Sequence, residues 1–111
     1  MTIQTARHGG ISVVSVSGRL DGVTAPEYER TVRELIDGGT TRVVLDFDQL
    51  EYISSVGLGE LLVTAKLLKE KDGQFCVANV HGNVLSVFEM CGIGKLLKIH
   101  PSVAEALAAL A

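Results

Sequence analysis

Apolar residues along the chain switch between the spacing of strands and the spacing of helices. Ile3 to Arg7 and Ile11 to Ser17 have strand character, the second dominated by β-branched residues, and His8-Gly9-Gly10 between them reads as a turn. Together they predict an antiparallel hairpin. Thr24-Ala25-Pro26-Glu27 then has the composition of a helix start: Thr24 as cap, Pro26 in the first turn and Glu27 closing a capping box. Tyr28, Val32, Leu35 and Ile36 recur at helical spacing until Gly38-Gly39 stops the run. Arg42 to Phe47 shows no alternation through Val43-Val44-Leu45, the mark of a strand covered on both faces.

A helix is expected next, from about Val56 to Lys71, with Leu58, Leu61, Leu62, Ala65 and Leu68 on its core face. Asp72-Gly73 ends it, and Gln74 to Val80 forms another apolar strand. Asn83 is placed to cap a short helix carrying Val84, Leu85, Val87, Phe88 and Cys91. Leu96 to Ile99 reads as a last short strand, and Pro101-Ser102 leads into an Ala-rich helix over Val103 to Leu110. Strand and helix alternate through the second half, which implies parallel strands joined by right-handed crossovers. The predicted class is α/β: a single domain over residues 1–111, with a mixed, mostly parallel sheet, an antiparallel N-terminal edge hairpin and about four helices.

Composition fits one globular domain, since 47% hydrophobic and 21% charged residues are neither a disordered nor a membrane-embedded balance. There is no Trp and only 5% aromatics, so the core is aliphatic and no platform for stacking bases is evident. Net charge is −3 with scattered Lys and Arg, which gives no electrostatic footprint for nucleic acid or an anionic membrane. Met1 to Gly10 lacks an apolar core segment, and no apolar run approaches the ~20 residues that span a bilayer. A cytoplasmic protein without direct membrane insertion is expected. Cys76 and Cys91 sit among apolar residues and read as two reduced core thiols.

The stretch Tyr52-Ile53-Ser54-Ser55-Val56-Gly57-Leu58-Gly59 falls between a buried strand and the start of a helix. Free backbone N–H groups and the helix dipole converge at such a junction, and they accommodate a phosphate. The residues alone leave two roles open for Ser54 and Ser55: a helix cap contributing ~1 kcal/mol, or a modification site.

Ile53-Ser54-Ser55-Val56-Gly57-Leu58-Gly59 resembles the signature of STAS domains, and Gly18-Arg19-Leu20-Asp21 followed by Thr24-Ala25 resembles the second signature of that family. The resemblance covers essentially the whole chain and extends to bacterial anti-sigma factor antagonists. It implies a protein-binding switch and not an enzyme. It places the family's phosphorylated serine on Ser55, and its acidic residue beside the phosphorylation loop on Asp21. The flanking positions depart from the common pattern: Ser54 stands where many members have Asp, and Val56 where Ser or Thr is frequent, with Gly57 following. The implied partners are an anti-sigma factor with serine kinase activity, bound while Ser55 is unmodified and released on phosphorylation, and a metal-dependent serine phosphatase that resets the switch. No cofactor and no nucleic acid are implied, and a monomer is expected. The alternative within the family is an unphosphorylated accessory subunit of a membrane transport or signalling assembly.

The helix face opposite the expected core stripe carries Gly59, Val63, Leu67 and Glu70, with Glu60 beside them. Val63 and Leu67 are helical neighbours there, and they read as an apolar docking patch next to Ser55.

Other constellations are incomplete. Gly57-Leu58-Gly59 would need a third glycine where Leu62 stands, so it is not a dinucleotide fingerprint. Asp46 and Asp48 lack a third ligand, and His8, His81 and His100 have no metal-binding spacing. Ile53 occupies the place of the first glycine in a nucleophile elbow around Ser55.

Overall fold

The computed structural model describes residues 1–111. Strands β1 (Thr2–His8) and β2 (Ile11–Leu20) form the expected antiparallel hairpin, in register from Thr2 opposite Ser17 to His8 opposite Ile11. Helix α1 (Ala25–Asp37) follows, then β3 (Arg42–Asp46), β4 (Leu50–Ile53), α2 (Ser55–Glu70), β5 (Gln74–Ala78) and α3 (Gly82–Cys91). A single turn of 3-10 helix (Ile93–Lys95), β6 (Lys98–His100) and α4 (Val103–Leu110) complete the chain. All pairings after the hairpin are parallel, and the main sheet runs β1-β2-β3-β5-β6.

Helices cover both faces of the sheet. Tyr28, Val32 and Ile36 of α1, Leu58, Leu61 and Leu68 of α2, and Val84 and Phe88 of α3 pack with Val14, Val16, Val43, Leu45 and Val77 into the larger core. Phe47 and Phe88 meet edge to face with centroids 6.3 Å apart. On the other face, Ala106 and Leu110 of α4 cover Ile11, Val13, Val44, Cys76 and Ala78. This two-sided burial is why β3 and β5 carry no polar alternation.

Strand β4 is the element the sequence pattern does not reveal. It is four residues long and pairs with β2, leaving the main order of the sheet. The edge of β2 is therefore divided: Ser12 to Ser15 pair with β3, and Gly18 to Leu20 pair with β4. The register breaks between Gly18 and Arg19, where Gly18 takes a φ of +84° and its N–H donates to Gln49 O at 3.0 Å. A left-handed bulge of this kind favours glycine, so Gly18 shapes the strand that leads to Asp21.

Several local expectations are corrected. Thr24 does not cap α1 with its side chain: its hydroxyl donates to Arg19 O at 2.8 Å and accepts from Asp21 N–H at 3.0 Å. Helix α3 starts at Gly82 after His81, not after Asn83. The last strand begins at Lys98, with Leu96 62% exposed and Leu97 buried. On α2, Leu62 points outward and Thr64 takes a buried place in the core stripe. Cys76 is buried as expected, but Cys91 is exposed.

Candidate functional site

The site forms where β2 and β4 end together. Arg19 pairs with Tyr52 and Leu20 with Ile53, and Ser54 N–H extends the ladder by donating to Leu20 O at 3.0 Å. Asp21 and Ser54 directly follow these paired positions, so the β2–α1 turn and the start of α2 share one end of the strand pair. The two signature stretches of the sequence thus meet in space.

Each small residue at the junction has a distinct task. Ser54 is the N-cap of α2, in extended conformation, and its Oγ accepts from Gly57 N–H at 3.2 Å. The capping role belongs to Ser54, which leaves Ser55, the exposed first residue of the helix, free of it. Gly57 is buried against β2. A Cβ there would lie 2.6 Å from Leu20 O and 2.8 Å from Ile53 Cγ1. Glycine at this position lets the helix start sit directly on the strand, which fixes the direction in which Ser55 leaves the surface.

Asp21 anchors the neighbouring turn. Its Oδ1 accepts from the N–H groups of Thr24 at 3.1 Å and Val23 at 3.0 Å. The Thr24 N–H bond is the largest influence on the Asp21 carboxyl, and with Val23 N–H, the Thr24 hydroxyl and the Arg19 charge it outweighs burial, the second largest, and holds the group below the usual carboxylate range. Arg19 Nε lies 3.6 Å from Asp21 Oδ2, and its guanidinium stacks over the Tyr52 ring at 4.1 Å from the centroid. This Arg19–Tyr52 stack was not anticipated from the sequence; once β4 is placed beside β2, their direct pairing reveals it.

The outer face of α2 divides differently from the expectation. Val56 and Val63 are 51% and 42% exposed, and they lie two turns apart on one side with Gly59 and Glu60 between them. Leu67 is corrected: it is partly buried and packs against the larger core. Glu60 is half-buried toward α1, where partial burial first and the charge of Glu29 second raise its carboxyl above the usual range, opposed by Arg33. Glu29 itself pairs with Arg33 at 3.1 Å.

Asp46 and Asp48, considered for metal chemistry, have structural partners instead. Asp46 Oδ1 accepts from Asn79 Nδ2 at 2.9 Å and Asp48 N–H at 3.1 Å, tying β3 to the loop after β5. No three His, Cys, Asp or Glu side chains gather in a metal-binding cluster. No helix is long and apolar enough to cross a membrane.

Comparison with known proteins agrees with this fold. An anti-sigma F factor antagonist of Paenibacillus polymyxa is 30% identical over 111 residues, covering 99% of this chain and 95% of that protein. The crystal structure of an anti-sigma factor antagonist from Mycobacterium paratuberculosis superposes with a TM-score of 0.89 at 32% identity, covering 98% of this chain and 92% of the other. The Bacillus cell fate determinant SpoIIAA in its phosphorylated form has the same fold, with a TM-score of 0.76 at 20% identity over 99% of this chain and 100% of the other. The STAS domain model matches residues 2–106, and with both of its signatures meeting at the β2–β4 end the chain belongs to the STAS domain family.

Proposed function

We propose that this protein is an anti-sigma factor antagonist whose binding to a serine-kinase-type anti-sigma factor is switched off by phosphorylation of Ser55. The observation that carries the reading is the division of labour between the two serines. Ser54 caps α2 while Ser55 stands exposed on its first turn. The Paenibacillus and Mycobacterium relatives are both named as anti-sigma factor antagonists, which supports the partner class. SpoIIAA, of the same fold, has a phosphorylated form, so the fold accommodates the modification.

The physical basis is local. A phosphate on Ser55 adds about −1.5 to −2 charges beside the N–H groups of the first turn of α2, where the helix dipole tolerates them. The domain keeps its fold. In a docked interface the same group is desolvated and meets any acidic surface of the partner, and a loss of about 3 kcal/mol there lowers affinity more than a hundredfold. The charged Asp21 carboxylate lies at the same end of the strand pair and gives the unmodified surface a negative element for a basic partner group. Val56 and Val63 supply the apolar part of the docking face. A metal-dependent serine phosphatase completes the cycle by restoring the hydroxyl.

Intact-protein mass spectrometry with site mapping tests the proposal, after incubation with serine-kinase anti-sigma factors of the host and ATP. One phosphate on Ser55, absent from Ser55→Ala, is the expected result. Tight binding without modification would make the domain a constitutive antagonist. If neither modification nor binding occurs, the reading fails, and an accessory role in a membrane transport or signalling assembly takes its place.

A further inference from the structure

A cavity of about 370 Å³ opens at the far edge of the sheet, away from Ser55. Gln74 and Lys98, the first residues of β5 and β6, line it, whereas Ser55 lies two residues past the end of β4. In a parallel array these are opposite ends of the strands. The size lies within the roughly 300–1,000 Å³ typical of small-molecule sites.

The lining combines two chemistries. Leu68, Leu97 and Leu110 supply apolar wall from α2, the segment before β6, and α4. Lys69, Lys98 and His100 supply the polar part, and no Asp or Glu lines the cavity. That one-sided charge stands out in a protein of net charge −3. His100 also lines the cavity, but its Nε2 is closed off from contact with an entering group, so the charge facing the cavity is that of the two lysines.

We propose that this cavity binds an organic monocarboxylate with a short apolar body, its carboxylate held by Lys69 and Lys98 and its body against the leucines. An ammonium head would meet like charge there, and an anion without an apolar body would leave the hydrophobic wall uncovered.

Octanoate, acetate and octylamine titrated separately into isotope-labelled protein test this by amide chemical shifts. Octanoate is expected to give saturable shifts at Lys69, Lys98 and Leu97, with a Kd of about 1 mM or tighter. Acetate and octylamine are expected to give none at the same concentrations. The substitutions Lys69→Glu and Lys98→Glu, both at exposed residues, are expected to weaken octanoate about tenfold or more without unfolding the domain. The proposal is overturned if octanoate gives no saturable shifts, if its shifts centre elsewhere, if octylamine binds equally well, or if the charge-reversed protein binds octanoate unchanged.

Discussion

The hydroxyl of Tyr28 on α1 meets the hydroxyl of Thr64 on α2 at 2.8 Å in the middle of the larger core. Thr64 Oγ1 in turn donates to Glu60 O at 2.9 Å, so Tyr28 is the donor of the pair. The bond lets a phenol and a threonine occupy wholly buried places, and it fixes how α1 crosses α2. Tyr28→Phe removes the donor and leaves Thr64 with its carbonyl partner. The expected cost is about 1 kcal/mol, read as a lower urea midpoint at unchanged slope.

The same burial governs the alkaline limit of the fold. Burial pushes the Tyr28 phenol far above its ordinary value of 10.0, outweighing the Thr64 hydrogen bond that lowers it. Below pH 10 the phenol is neutral in both folded and unfolded chains, and stability does not depend on it. Above that pH the unfolded chain gives up the proton while the folded chain keeps it, so stability falls by about 1.4 kcal/mol per pH unit from this group. Absorbance of tyrosinate should show the Tyr28 share appearing together with loss of the folded circular-dichroism signal. A Tyr28 signal that rises while the fold is intact refutes the packing.

Two glycines of one signature respond in opposite directions. Gly57→Ala places a Cβ against Leu20 O and Ile53 and is expected to destabilise by about 1–3 kcal/mol. Gly59 has nothing within 4 Å of a Cβ and lies inside α2, so Gly59→Ala is expected to stabilise by about 0.5–1 kcal/mol. Thermal unfolding of the two variants in parallel checks the pair of signs.

The thiols are inequivalent. Burial pushes the Cys76 thiol up to about 11, partly offset by Lys98, while Cys91 is exposed. A thiol-reactive dye is expected to label one cysteine in the folded protein and the second only in denaturant. Rapid double labelling of the native protein would contradict the placement of Cys76.

The proposed docking face is expected to separate binding from folding. Val56→Ala with Val63→Ala is expected to lower affinity for the anti-sigma partner about tenfold with little loss of stability. Leu67→Ala is expected to do the reverse, costing about 1–2 kcal/mol of stability through lost core packing. Unchanged partner affinity in the valine double variant removes the docking role from this face.

Much of this was legible in the sequence because α1 has an unambiguous period and a clear stop, and β3 and β5 are short unbroken apolar runs. Helix α2 was legible in extent but not in phase. Leu58, Leu61, Leu62, Val63, Leu67 and Leu68 surround most of its circumference, so periodicity alone does not choose which of them faces inward. Tertiary contact decides it: Thr64 is drawn in by the Tyr28 hydroxyl, and Leu62 turns out. Strand β4 escaped because its buried residues, Leu50 and Ile53, are three apart, a helical interval in a four-residue strand. The two signatures were readable as motifs, but their contact depends on β4 lying beside β2. The Arg19–Tyr52 stack depends on the same placement, whereas the turn held by Asp21 and Thr24 is closed by bonds within residues 19–24.

The seating of Gly57 on Leu20 has a thermodynamic consequence for recognition. The backbone on either side of Ser55 is held by Ser54 N–H on Leu20 O and by the Ser54 cap, so little chain freedom remains to be lost when a partner closes over it. The surface is preorganised, and association carries a small entropic penalty on this side of the interface. On the proposed reading, differences in affinity between forms with and without a phosphate on Ser55 are expected mainly in how long the complex lasts, and less in how quickly it forms.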